Sequence, residues 1–124
     1  MSWQQPGNSV PVIDLFAGPG GLGEGFSAFA HARMRFDVVL SVEKDAAAHQ
    51  TLLLRAFFRR LRNDGERQSY YACLRGEVSR DDLFRVAPEA AAAAKARCLH
   101  LELGPRTTHH VYAHRHQFVA DKKQ

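Results

Sequence analysis

The chain has 124 residues, 45% of them apolar, with a formal charge of +4 and a pI near 9.4. That size limits it to one domain burying roughly two-thirds of its unfolded surface, and its apolar share excludes wholesale disorder, while the mild basicity permits nucleic-acid contact without requiring it. Met1 to Gly7 lack a basic leader, no apolar stretch approaches the ~20 residues of a membrane span, and Cys73 and Cys98 lack metal or redox spacing, so a reducing, cytoplasmic setting without a membrane partner is the expectation.

Residues 1–9 read as a tail. Val10 to Phe16 reads as a short strand, with Pro11 near its beginning where a missing N–H is tolerated. Asp14 to Phe26 then run D-L-F-A-G-P-G-G-L-G-E-G-F, a turn of small residues opening into a helix. Glycines let backbone N–H groups approach a ligand closely, because no Cβ holds it off. Gly18, Gly20 and Gly23 satisfy G-x-G-x-x-G, with Glu43 standing 20 positions beyond Gly23. The segment reads as a nucleotide-type cofactor site at the carboxyl end of a first strand. Leu22, Phe26 and Phe29 fall at helical spacing and are expected to pack on the sheet. Gly23 and Gly25 weaken that helix by about 1 kcal/mol each, which suits a turn needing space for a ligand.

Phe36 to Val42 reads as a second strand, parallel to the first in a βαβ unit, with Glu43 at its end. Ala46 to Arg62 reads as a helix with Ala47, Thr51, Leu54, Phe58 and Leu61 on its inner face. Arg55, Arg59, Arg60, Arg62 and Arg67 form a basic patch that either touches phosphates or is a solvated helix face. Asn63-Asp64-Gly65 signals a turn, and Ser79 with Asp82 resembles a capping box. Pro88-Glu89 and five alanines start a helix expected to run to Gly104-Pro105, with Cys98 inside it.

Residues 105–124 show no helical period and hold four of the seven histidines, His109, His110, His114 and His116. Without cysteine or carboxylate at zinc spacing they read as a polar tail, and no metal site is assigned. Phe118-Val119-Ala120-Asp121 imitates a strand with an acidic end. With two strands in view, the chain looks like half of an α/β fold, and marginal stability or self-association is expected.

A bare G-x-G-x-x-G suits a nicotinamide or flavin enzyme. Asp14 inside the strand, Phe16-Ala17 before the first glycine, and Pro19 in the turn argue against it, since a pyrophosphate wants an uninterrupted row of N–H donors. The combination resembles the opening motif of the DNA cytosine-5 methyltransferases, D-L-F-A-G-x-G-G followed by Gly-Phe, matched by Asp14 to Gly21 and Gly25-Phe26. Ser41 to Asp45 is similar to the family's second motif, and the likeness spans roughly Val12 to Gly104.

The resemblance implies a partial Rossmann-like, S-adenosylmethionine-dependent methyltransferase fold over residues 10–104, represented by its first strands and helices. Phe16 would lie against the adenine of S-adenosyl-L-methionine. Asp14 opens the motif, and Ala17, Gly18, Pro19, Gly20, Gly21 and Leu22 would hold the methionine portion. Glu43 would accept hydrogen bonds from both ribose hydroxyls. Lys44 stands beside the adenine where the family often has an apolar residue. DNA would be the partner, its target cytosine flipped from the duplex.

The family's Pro-Cys and Glu-Asn-Val are absent: Cys73 follows Ala72 and Cys98 follows Arg97. No catalytic residue is therefore assigned, and the chain alone is expected to be inactive. It reads as the N-terminal portion of a longer enzyme, cut short by a premature stop, by a frame shifted beyond Gly104 or by the choice of fragment. The alternative is a non-catalytic cofactor-binding subunit complementing a separate polypeptide that carries the cysteine.

Overall fold

The computed structural model describes residues 8–113, a mixed α/β arrangement around a small, open, mainly parallel sheet. The sheet is built on β3 (Met34–Glu43), whose residues from Val38 to Val42 are all buried. A buried run of this kind, apolar except for Ser41, is what a strand covered on both faces requires. β1 (Asn8–Leu15) lies parallel along one edge of β3. On the other edge β2 (Ala30–His31) pairs antiparallel with its beginning, and β4 (Cys98–His100) pairs parallel with Ser41 to Glu43. The parallel strands thus stand in the order β4-β3-β1, so the carboxyl ends of all three lie together.

α1 (Gly21–Ala28) follows β1, and its Phe26 packs edge-on against Phe36 of β3 with ring centroids 5.1 Å apart. The expected inner face of this helix is corrected at both ends. Leu22 is 66% exposed because it occupies the first turn, beyond the sheet's cover; Phe29 does pack on the sheet, its ring 5.6 Å from that of Phe36, but from extended backbone just past the helix. Gly25 faces open space, where an added methyl meets nothing within 4 Å. Gly25→Ala should therefore stabilise the chain by ~1 kcal/mol through helix propensity alone, read as a higher urea midpoint.

α2 (Ala46–Phe58) buries Leu52, Leu53, Ala56 and Phe57 rather than the expected Ala47 and Thr51, which are exposed. Its apolar stripe is wider than one face because it packs on two sides: against α5 (Pro88–Arg97) and β4, and toward α3 (Asp64–Leu74) with Phe58, whose ring lies 4.6 Å from that of Tyr70. Asn63 opens α3 as its N-cap, accepting from the Glu66 N–H at 2.9 Å, where the sequence suggested a plain turn. Ser79 caps α4 (Arg80–Val86) as expected, accepting from the Asp82 N–H at 3.1 Å. Pro88 starts α5 at its first turn, where its missing N–H costs nothing.

α5 stops at Arg97, well short of Gly104, because Cys98 to His100 enter the sheet. Leu101 extends the ladder, its N–H donating to the Glu43 carbonyl at 3.0 Å. Beyond Pro105 the backbone is helical over 108–113, contrary to the absence of helical period in the sequence. Thr107 fixes its start by accepting from the Gly104 N–H, and Val111 covers the second face of the sheet with Leu99, Leu101 and Leu103 over Leu40 and Val42. His114, His116 and the stretch from Phe118 to Asp121 lie outside the described residues. No helix among the described residues is long and apolar enough to cross a membrane.

Candidate cofactor site

The turn after β1 is held by backbone bonds that the chain order makes unavoidable. β1 and β3 run parallel, and past a register shift between Val12 and Ile13 Leu15 stands opposite Val42, so the residues after Leu15 emerge beside the end of β3. Ala17 is buried and donates its N–H to the Val42 carbonyl at 2.9 Å. Gly18, at φ +58, donates its N–H to the Glu43 carboxylate at 2.6 Å. The other carboxylate oxygen of Glu43 accepts from the Asp45 N–H at 2.8 Å. Those N–H donors, Asp45 first and then Gly18, hold the half-buried Glu43 carboxyl below the ordinary glutamate range.

Gly20 ends the turn as the N-cap of α1 at φ +93, with no side chain capping the helix. The first N–H groups of α1 therefore face outward at the positive end of its dipole, beside exposed Gly21. Pro19 is exposed at the crest of the turn. Phe16 has left-handed backbone at φ 58 and is 77% exposed, so it is no core residue. A left-handed conformation costs an L-residue about 1–2 kcal/mol, a strain that clusters at functional positions.

Asp14 behaves differently from its neighbours. It is 7% exposed, points from β1 toward the first turns of α1, and would touch a Cβ at Gly23 at 3.6 Å. Among the described residues its Oδ2 has no hydrogen-bond partner, and burial pushes its carboxyl above the ordinary aspartate range. A buried, unpartnered carboxylate oxygen costs stability unless a donor reaches it.

Ala17, Gly18, Gly20 and Glu43 are thus joined by hydrogen bonds around the end of β3, Asp14 lies against Gly23 in the first turn of α1, and Phe16, Pro19, Gly21 and Leu22 stand exposed around them. Lys44 is drawn elsewhere, its Nζ 3.8 Å from Glu102. Two residues at this end of the sheet carry no signal in the sequence. The His49 and His100 rings stack with centroids 5.0 Å apart, and each has Nε2 against a backbone carbonyl, of Cys98 and Lys44 respectively. Their separation in the chain leaves no local pattern to find. Among the described residues no group of three His, Cys, Asp or Glu is placed to hold a metal ion.

Cys98 lies in β4, not in a helix; it is buried, and burial pushes its thiol up to about 11. A thiol so placed is protonated at neutral pH and is no nucleophile. Alkylation of the native chain should label half-exposed Cys73 first and Cys98 only in denaturant, as peptide mapping would read.

Compared with known protein families, curated proteins and solved structures, the chain matches none.

Proposed function

We propose that the carboxyl ends of β1 and β3 bind S-adenosyl-L-methionine, and that the chain is the cofactor-binding part of a DNA cytosine-5 methyltransferase. The observation that carries this reading is the bond from the Gly18 N–H to the Glu43 carboxylate, which joins two sequence motifs 25 residues apart at one point. In a doubly wound sheet, ligands sit at the carboxyl ends of the strands, with a glycine turn on the first strand and an acidic residue on the second. The order β4-β3-β1 supports one half of such a Rossmann-like sheet, third strand to first.

The residues present suit the cofactor. Its methionine carboxylate suits the uncapped start of α1, and its ammonium suits Asp14, whose Oδ2 has no partner among the described residues. Exposed Phe16 offers a face to adenine, and Glu43 keeps lone pairs for ribose hydroxyls beyond the two N–H groups it already accepts. Bound there, the cofactor supplies an electrophilic methyl group. This chain's residues bind and orient it; the buried, protonated Cys98 does not attack a base.

Transfer to DNA then requires the Pro-Cys cysteine from sequence this chain does not contain, in a longer enzyme or in a separate complementing polypeptide. The uncovered side of β1 favours such a neighbour: Ile13 and Leu15, in register with buried Leu40 and Val42, remain 37% and 45% exposed. Calorimetric titration of the chain with S-adenosylmethionine and with NAD tests the cofactor. Saturable binding of the first alone is expected, and binding of NAD alone or of neither overturns the reading.

A further inference from the structure

The opposite end of the sheet holds a polar cleft, of about 490 Å³, that the cofactor reading does not use. It forms where the beginning of β3, the end of α2 and the last residue of α5 meet, and it gathers Arg35, Arg59, Arg60 and Arg97. The basic patch expected along the second helix is dispersed instead: Arg62 pairs with Glu89 at 3.2 Å and Arg67 with Asp64 at 3.2 Å. Only Arg59 and Arg60 of that group turn into the cleft, joined by arginines distant in sequence.

Its charges do not balance. Asp37 engages Arg97 at 3.0 Å, and Glu24 at the rim engages Arg59. Arg35 and Arg60 have no carboxylate within ion-pair distance among the described residues; one Arg60 nitrogen donates to the Ala56 carbonyl at 2.6 Å. Two guanidinium charges are therefore left over in one concavity. The ends of α2 and α5 contribute at most about −0.5 each, which leaves roughly one positive charge uncompensated. Burial first, and then the neighbouring Arg97 and Arg59, push the Arg60 guanidinium below its ordinary proton affinity. Guanidinium forks match tetrahedral oxyanions, and the Ser27 hydroxyl lines the same cleft.

We propose that this cleft binds a phosphate group, with Arg35 and Arg60 as its principal donors. The group comes either from a small phosphate anion or from a nucleic-acid backbone, and the two sources separate experimentally. Inorganic phosphate titrated into the full chain at constant ionic strength should bind saturably in the millimolar range and raise the melting temperature. Arg35→Gln, at an exposed position with no ion pair among the described residues, should keep the native circular dichroism and weaken phosphate binding about 5- to 10-fold. Arg60→Gln should weaken it similarly, with Arg60→Lys recovering part. A short DNA duplex forms the second arm. If the salt dependence of its binding loses about one unit of slope in Arg35→Gln, the phosphate belongs to the backbone; if DNA ignores the substitution while phosphate responds, the site takes a small anion. Phosphate binding that is absent, or unchanged in a folded Arg35→Gln chain, overturns the proposal. Because neither substitution touches the glycine turn, S-adenosylmethionine titration reports separately on the other site.

Discussion

Gly20→Val should lower the unfolding free energy by roughly 2 to 5 kcal/mol. Two effects add at this position. The backbone stands at φ +93, where a β-branched residue is a genuine outlier, and left-handed backbone costs about 1–2 kcal/mol. An added Cβ would also lie 2.9 Å from Leu52 Cδ1. That methyl end is flexible in principle, but Leu52 is 3% exposed and sits in the core cluster with Ala56 and Phe57, so its displacement moves packed neighbours. Overpacking of that kind costs about 1–3 kcal/mol. Gly18→Ala is the control: φ is +58 but no atom lies within 4 Å, so backbone strain of about 1–2 kcal/mol acts alone. Urea unfolding followed by circular dichroism separates the two. Equal losses would mean that the turn does not rest on α2.

The sequence reveals those features whose cause is local. A β-branched run ending in Glu43, a glycine turn with left-handed backbone at Gly18 and Gly20, Ser79 as a cap and Pro88 at a helix start each act within a few residues, and each stands where the sequence places it. The elements that differ are those where a distant partner decides. Cys98 to Leu103 read as a continuation of the alanine helix, yet Leu99, Leu101 and Leu103 alternate with His100 and Glu102 at the period of a strand. That pattern outweighs helix propensity once β3 offers an open edge. Asn63 with Glu66 three residues on is likewise a cap pattern, masked in the sequence because Asp64-Gly65 mimics a turn.

The same division explains the two ends of the sheet. Asp14, Gly18 and Glu43 stand out by motif, and one parallel pairing of β1 with β3 suffices to collect them. Arg35, Arg60 and Arg97 belong to three different parts of the chain, and nothing short of the packed fold announces that they converge. His49 and His100 are of that second kind too.

If the proposed site is right, Glu43→Ala should weaken S-adenosylmethionine binding about 100-fold, because two charge-assisted hydrogen bonds to the ribose would be lost. It also removes the acceptor that holds the Gly18 N–H, so the turn loses its tie to β3. Glu43→Gln keeps one acceptor oxygen but turns an amide group toward donors, and should weaken binding about 10-fold. The pH dependence has a definite sign. Bonds from Asp45 and Gly18 lower the Glu43 pKa in the folded chain, so its contribution is complete above the ordinary glutamate range and is lost as pH falls through the depressed folded value. Affinity owed to Glu43 should therefore stay flat from neutral pH into mild acid and fall only on the acid side of that range. Asp14 works in the opposite sense, because burial raises its carboxyl, and a bound ammonium would have to expel a proton from it as pH falls. Wild type should accordingly lose affinity at a higher pH than Glu43's titration alone predicts, and Asp14→Asn should remove that early loss while leaving the later one. A folded Glu43→Ala chain that binds S-adenosylmethionine as tightly as wild type would place the ribose elsewhere and end the case for this turn as the cofactor site.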